Sequence, residues 1–268
     1  MKQRIISGTL CVVVLAAVLC LYKTVVLEAA ISVLSAIAVY ELLSAVGLKN
    51  SKTLVIFDVA VAAILPYASI FNLQNYVVYA FLAVTVVLLL RNHSKIGFEK
   101  VAFSVCATLG VSLSFLCIIL LRNNFDKTGL FYILIAFGGA WFADTGAYFS
   151  GRFFGKHKLC PVISPKKTIE GLIGGVISNI LLICLAAFVY GKFVDVTVNY
   201  LALSILAVVI AFAGVAGDLT ASVIKRQSGI KDYGNIIPGH GGIMDRFDSI
   251  LLTAPAVYIV TKIVSIVF

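Results

Sequence analysis

The chain has 268 residues, of which 61% are hydrophobic and only 12% are charged. Soluble globular domains carry roughly 25% charged residues, so this composition, with a mean hydropathy of +1.08, excludes an ordinary soluble protein. A formal net charge of +9 is compatible with a nucleic-acid-binding function, but the distribution of the basic residues along the chain does not support one.

Apolar runs that are long enough to cross a bilayer, about 20 residues, recur along the whole chain. The first run follows Lys2 and Arg4, which is also the pattern of a cleaved signal peptide, but no good cleavage site follows Leu21 and we expect this run to be retained. The sequence therefore predicts about nine transmembrane helices. The nine runs are residues 5–22, 25–47, 53–71, 75–91, 101–121, 129–150, 169–190, 200–221 and 249–267.

Lysine and arginine are distributed unevenly over the connections between these runs. The N-terminus and the connections after runs 2, 4, 6 and 8 hold 16 of them, if Arg91 at the very end of run 4 is counted with the connection that follows it, and the other four connections hold 4. Cytoplasmic connections of membrane proteins carry the excess of basic residues. The sequence thus predicts an all-α, polytopic integral membrane protein, with the N-terminus in the cytoplasm and the C-terminus outside.

Two polar clusters flank the connection after run 6. The first closes the run with Asp144 and Tyr148, and the second is Ser164-Pro-Lys-Lys-Thr168. Serine followed by proline is typical of a helix start, so we expect a helix to begin at Ser164, with Lys166 and Lys167 on its first turn. Such a helix end binds anions. A capped helix whose lysines reach lipid headgroups is the alternative, and this cluster alone does not decide between them.

The third cluster is residues 222–248, called the signature segment below, and it concentrates charge and glycine in an otherwise apolar chain. On a helix, Asp218, Ser222 and Lys225 share one face. The glycine-rich stretch 238–242 leads into run 9, and we expect Asp245 and Asp248 on the first turns of that helix. Cations, carboxylates and flexible backbone together are typical of a site for phosphate groups and a divalent metal.

Acids near a helix start also have a structural explanation, because they complement the helix dipole. Asp144 and Asp218 are predicted on the same side of the membrane as Asp245 and Asp248, which favours metal ligation. Glu41, at the end of run 2, either reaches this site or makes a structural pair. The six cysteines show no CxxC or Cys/His spacing, so they predict neither disulfides nor a zinc site.

The signature segment resembles that of phosphatidate cytidylyltransferases, also called CDP-diacylglycerol synthases. The matching elements are Ser-x-Ile-Lys-Arg at 222–226, Lys-Asp at 231–232, Pro-x-His-Gly-Gly at 238–242 and Asp-Arg-x-Asp at 245–248. Residues 144–148, residues 164–171 and Gly217-Asp218 resemble the same family. The motifs cover roughly residues 140–250, and the first half of the chain resembles the family only in being polytopic.

The resemblance implies that CTP and phosphatidate react to give CDP-diacylglycerol and pyrophosphate, with Mg²⁺ and room for a second cation. The implied metal ligands are Asp144, Asp218, Asp245 and Asp248, which with Lys225 form the catalytic set. The expected substrate-binding residues are Ser164, Lys166, Lys167, Thr168, Ser222, Arg226, Lys231, His240, Gly241, Gly242 and Arg246.

These motifs predict a division of roles along the chain. Residues 1–125 are expected to form a scaffold with a lipid groove, and residues 126–268 to carry the catalytic motifs at the cytoplasmic face. The expected location is the cell membrane, the expected partners are both substrates and the bilayer, and a homodimer is compatible with the sequence.

Other functions remain as alternatives. The nearest is a cytidylyltransferase that acts on another lipid phosphate, of the isoprenoid-ether type. A secondary transporter would show repeats in two halves with polar breaks near the midplane, whereas the three polar clusters here all lie in the last 130 residues and are predicted at one membrane face. A non-catalytic scaffold leaves the glycine and aspartate clusters unexplained.

Overall fold

A computed structural model describes residues 2–94, 96–125, 127–194 and 196–267. Most of these residues are helical, because a lipid-embedded backbone must satisfy its hydrogen bonds within its own segment. The elements in chain order are α1 Lys2–Cys20, α2 Val26–Ala45, α3 Lys52–Ala68, α4 Gln74–Asn92, α5 Phe98–Asn124, α6 Gly129–Phe154, β1 Lys158–Cys160, β2 Ser164–Thr168, α7 Ile169–Phe193, α8 Tyr200–Gln227, α9 Met244–Phe247 and α10 Ile250–Ile263.

Within the described ranges, seven helices are long and apolar enough to cross a membrane: α2, α3 with the 3-10 turn that follows it, and α4 to α8. The apolar parts of α1 and α10 are shorter, at Ile6–Cys20 and Ile250–Ile263. A 14-residue helix is about 21 Å long, less than the ~30 Å of a bilayer's hydrocarbon core. The length and apolar composition of these helices confirm the prediction of a helical, multi-pass membrane protein.

The contacts between residues divide the chain into two compact units. Unit 1 contains Met1–Ile119 and Ile224–Phe247, and unit 2 contains Leu120–Val223 and Asp248–Phe268. Most of the signature segment therefore packs with the N-terminal helices, although it lies far from them in sequence. The predicted division of roles at residue 125 stays a prediction.

Two local expectations from the sequence are wrong. Ser164 does not start a helix, because residues 164–168 form strand β2, which pairs antiparallel with β1. Helix α7 begins only at Ile169, after Thr168, whose side-chain oxygen accepts a hydrogen bond from the Gly171 N–H. Asp245 and Asp248 do not lie on the helix of run 9 either, since that helix begins at Ile250 and is preceded by the separate short helix α9.

In unit 2, helices α6 and α7 approach each other through small residues. A Cβ atom at Gly146 would collide with Ser178 of α7, and one at Gly174 would collide with the Cβ of Ser150. A Cβ at Gly175 would lie 2.8 Å from a backbone oxygen of α6. Small residues allow close helix contact in membranes, where no hydrophobic force drives association. This contact fixes the C-terminal half of α6, which carries Asp144, beside the start of α7.

The glycine contact predicts a stability difference between two alanine substitutions. Gly174→Ala forces α6 and α7 apart, and such overpacking costs about 1–3 kcal/mol. Gly110→Ala in α5 is the control, because its added Cβ meets nothing within 4 Å. We expect thermal unfolding in detergent to show a lower Tm for Gly174→Ala and an unchanged or slightly higher Tm for Gly110→Ala. Equal melting temperatures would contradict the close contact.

Candidate active site

In unit 2, three predicted site residues come together from three elements. Lys167 of β2 places its Nζ 2.6 Å from Oδ2 of Asp218 on α8. Asp144 of α6 interacts electrostatically with both, and its carboxylate also interacts with the Ser249 side chain. Two carboxylates beside one lysine leave a net negative charge, and this group is called the unit 2 cluster.

The lysine in this cluster has unused hydrogen-bonding capacity. Lys167 Nζ is buried and has no hydrogen-bond partner in the part of the chain that the structure describes, so its contact with Asp218 is electrostatic. An ammonium group carries three donors. These donors are available to an anion that enters the cluster.

The unit 2 cluster lines a cleft of about 370 Å³. Lys166 and Thr168, both predicted to bind substrate, also line it, together with Tyr148 and Arg152. The Arg152 guanidinium donates a 3.0 Å hydrogen bond to the Tyr148 hydroxyl. Arg152 was not among the predicted site residues, and its only sequence signal was its place beside the first polar cluster. The cleft therefore combines three cations with two carboxylates, a set that suits phosphate groups accompanied by a metal ion.

A hairpin and a glutamate hold the lysines at this cleft. Glu170, at the start of α7, accepts hydrogen bonds from the backbone N–H groups of Lys156 and His157. Its Oε1 also lies 2.6 Å from His157 Nδ1. Glu170 thereby ties the chain entering β1 to the helix that follows β2. Glu170 belongs to residues 164–171, which resemble the family, but the resemblance did not assign it a role.

Two further predicted residues lie close to Asp218. Ser222 Oγ donates a weak 3.4 Å hydrogen bond to Asp218 Oδ1. The Gly217 backbone packs against the chain at Asp248, because a Cβ there would lie 3.1 Å from the Ser249 Cα. Asp248 Oδ1 accepts a 2.7 Å hydrogen bond from the Ser249 N–H. Unit 2 thus brings Asp144, Asp218 and the backbone of Asp248 together.

In unit 1, Asp245 organises the signature segment. Its Oδ1 accepts a 2.9 Å hydrogen bond from Lys225 Nζ. Its Oδ2 accepts hydrogen bonds from the N–H groups of Tyr233 at 2.8 Å and Gly242 at 3.0 Å. The side chain is 3% exposed. Asp245 therefore already makes three hydrogen bonds within the protein, and its role as a metal ligand stays a prediction.

His240 is held by a residue that the sequence did not indicate. Ser7 Oγ of α1 lies 2.8 Å from His240 Nδ1 and donates to the Pro238 carbonyl at 2.9 Å. The loop turns sharply here, since Gly239 and Gly241 have φ angles of 79° and 86°. Such angles favour glycine. A serine in an apolar run carries no sequence signal for a contact more than 200 residues away.

Glu41 of α2 contacts the same segment. Its carboxylate oxygens accept hydrogen bonds from the N–H groups of Ile243 at 3.1 Å and Met244 at 2.8 Å. The sequence left open whether Glu41 reaches the site or makes a structural pair, and the contact is with the backbone of the signature segment itself. The remaining predicted cations of unit 1, Arg226, Lys231 and Arg246, are exposed.

Metal binding is consistent with the donors in the unit 2 cluster. Among the described residues, no group of three or more His, Cys, Asp or Glu side chains is arranged to hold a metal ion. Mg²⁺ usually keeps several waters and binds through one or two carboxylates together with substrate phosphates. The adjacent Asp144 and Asp218 carboxylates supply that number of ligands.

Comparisons with known proteins give one consistent result. A family model described as "Cytidylyltransferase family" matches residues 2–264. A phosphatidate cytidylyltransferase of Staphylococcus haemolyticus (strain JCSC1435) is 40% identical over 189 residues, which cover 70% of this chain and 69% of that protein. The protein of the same name from Staphylococcus aureus (strain COL) is 40% identical over 190 residues, 71% and 69% of the two chains. With the family model covering nearly its whole length, the chain belongs to the cytidylyltransferase family.

Proposed function

We propose that this protein transfers the cytidylyl group of CTP to phosphatidate at the membrane, giving CDP-diacylglycerol and pyrophosphate. The observation that carries the proposal is the unit 2 cleft, where Lys167, Asp144 and Asp218 meet in a protein of the cytidylyltransferase family. The relatives named phosphatidate cytidylyltransferase support phosphatidate as the acceptor.

The reaction needs no nucleophile from the protein. An oxygen of the phosphatidate phosphate attacks the α-phosphorus of CTP, a new P–O bond forms, and the bond to the β-phosphate oxygen breaks. Pyrophosphate leaves with the electron pair. Catalysis of such a transfer consists of positioning and charge compensation. The cleft offers both, since it is lined by cations and carboxylates rather than by an activated serine or cysteine.

Each residue of the cleft has a role in this scheme. Lys167 and Lys166 bind phosphate oxygens, with the unused donors of Lys167 directed to the developing charge. Arg152 presents a planar set of donors that suits phosphate. Asp144 and Asp218 would hold Mg²⁺, which when bound neutralises part of the phosphate charge. A second cation, and metal ligation by Asp245 and Asp248, remain part of the proposal.

The proposed orientation places the substrate-binding connections in the cytoplasm, where CTP is found. All nine apolar runs would cross the membrane, with the bilayer thinning around the short helix α10, and with the N-terminus inside and the C-terminus outside. The 16-to-4 distribution of basic residues supports this orientation. We also propose the cell membrane as the location, and the homodimer stays a prediction.

The orientation predicts which engineered cysteines are protected in intact cells. Lys166→Cys and Lys231→Cys, in a cysteine-free background, should resist an impermeant thiol reagent added outside and react after the membrane is opened. Both positions are exposed on the protein, so protection would report the side of the membrane rather than burial. Labelling of either position from outside would show that the topology is the opposite of the one proposed.

Substrate and metal dependence form the second prediction. The purified protein in detergent should release pyrophosphate from CTP only when phosphatidate and a divalent cation are both present. A parallel assay with an isoprenoid-ether lipid phosphate tests the nearest alternative acceptor. Undiminished pyrophosphate release in excess chelator would show that the reaction does not need the metal. A covalent cytidylyl-enzyme would rule out direct attack by the lipid phosphate.

The carboxylates of the cleft provide the third prediction. Asp218→Asn and Asp144→Asn should each lower kcat by about 10²-fold or more, because each removes charge compensation that matters in the transition state. Glu99→Gln is the control, since Glu99 lies exposed in the first turn of α5, outside every motif, and should keep kcat within about twofold. Near-normal turnover by folded Asp218→Asn would place the metal elsewhere.

A further inference from the structure

Glu41 is a buried acid that connects two distant parts of unit 1. Its side chain comes from the last turns of α2 (Val26–Ala45), and the residue is 3% exposed. Its two oxygens accept one backbone hydrogen bond each, from Ile243 and Met244. These two residues lie where the glycine-rich loop turns into α9. One carboxylate thus satisfies two consecutive N–H groups at the start of that short helix.

Two glycines of the signature segment make room for this carboxylate. A Cβ atom at Gly234 or at Gly242 would collide with the carboxylate oxygens of Glu41. Neither glycine has a positive φ angle, unlike Gly239 and Gly241. Gly234 and Gly242 are therefore required for space rather than for backbone conformation. Glu41 is enclosed between two parts of the segment, one around residue 234 and the other at 242–244.

The same backbone holds the Lys225–Asp245 pair. The N–H of Gly242, the residue before Ile243, donates to Asp245 Oδ2, and Asp245 Oδ1 binds Lys225. Movement of residues 242–244 would therefore move the carboxylate that fixes the Lys225 ammonium. Among the described residues, the hydrogen bonds of Glu41 go to the backbone rather than to these two side chains, and its carboxylate also interacts electrostatically with Asp245.

We propose that Glu41 is a positioning residue for the transfer reaction: it fixes the backbone at 242–244 and through it the Asp245–Lys225 pair. The proposal rests on the proposed function and on the catalytic set that the family resemblance implies, which includes Lys225 and Asp245. It assigns the N-terminal helices a direct part in setting the geometry of the signature segment. A purely structural acid would stabilise the fold without affecting turnover by the folded enzyme.

Glu41→Gln separates these two roles. Glutamine keeps the volume but replaces one acceptor oxygen with an NH₂ group, so one of the two N–H groups faces a donor. We expect kcat to fall at least about tenfold with KM values for CTP and phosphatidate within about threefold, since misplacement by a fraction of an ångström chiefly affects the transition state.

Glu28→Gln is the matched control. Glu28 is an acid of the same helix, also buried at 2% exposure, but it lies in the first turn of α2. Glu28→Gln should keep kcat of the folded enzyme within about twofold, whatever its Tm. A Glu41→Gln enzyme with normal kcat, or equal losses of kcat in both variants, would overturn the proposal.

Hydrogen exchange tests the anchor without relying on activity. Peptides that cover residues 242–247 should exchange faster in Glu41→Gln than in the parent and in Glu28→Gln, because an N–H group loses its acceptor. If the parent enzyme does not turn over CTP and phosphatidate, the proposed function fails, and the exchange result still decides whether Glu41 anchors the loop. Unchanged exchange at 242–247 would refute the anchor itself.

A second pair of variants covers the case in which Glu41→Gln does not fold. Gly234→Ala leaves the charge of α2 intact but inserts a methyl group where the Glu41 carboxylate lies, and we expect a similar loss of kcat. Glu41→Asp shortens the acid by one methylene and withdraws the carboxylate from the N–H groups of Ile243 and Met244. Because both changes displace the same carboxylate, Gly234→Ala combined with Glu41→Asp should lose little more kcat than either single variant, as coupled neighbours do. Fully additive losses would contradict the proposed positioning.

Discussion

The close contact between α6 and α7 is the constraint on which the polar groups of unit 2 depend. Glycine and serine at this contact let two helix backbones approach within a distance that any larger side chain would prevent. Association in a bilayer depends on such packing, because lipid tails are as apolar as the helix surfaces. Asp144 lies in α6, and Lys167 lies in the strand that leads directly into α7, so the contact fixes these two residues relative to each other.

Two buried carboxylates of unit 1, those of Asp245 and Glu41, act mainly as acceptors for backbone N–H groups. Asp245 binds two N–H groups and a lysine, and Glu41 binds two more N–H groups. The segment between α8 and α10 is largely without regular structure, so its own backbone cannot satisfy these donors. Because a buried donor without a partner is costly, the acids hold the loop in one conformation. Glycine supplies the space and the turns that this arrangement needs.

The sequence predicted the features that depend on composition over long windows. Hydropathy located every long apolar helix, and the motifs identified the family before any contact was known. Local signals were less reliable. Ser164 followed by Pro165 is a normal helix start, but pairing with β1 keeps these residues extended and Thr168 caps the helix instead. The separate helix α9 was missed because four residues leave no periodic pattern.

Contacts between distant residues were beyond prediction from one sequence. Ser7 and His240 are 233 residues apart, and Glu41 and Met244 are 203 apart. Neither partner of these pairs carries a local pattern that specifies the other. The convergence of Asp144, Lys167 and Asp218 was expected from the chemistry of phosphate transfer, whereas the specific 2.6 Å pairing of Lys167 with Asp218 was not.

That pairing has a consequence for how ligands enter the cleft. An anion that draws the Lys167 ammonium away leaves Asp218 beside Asp144 without its counter-charge. The two carboxylates then repel each other, and a cation arriving with the anion relieves this repulsion. The internal Lys167–Asp218 pair would thus be replaced by two pairs with ligands, one between Lys167 and the anion and one between the carboxylates and the cation. The affinity for the anion would therefore depend on the cation. Because such coupling is reciprocal, each ligand would raise the affinity for the other by the same factor. In the proposed reaction, a nucleotide that carries its own metal ion would deliver both charges in one encounter, whereas the Lys167–Asp218 ion pair would oppose the entry of either charge alone.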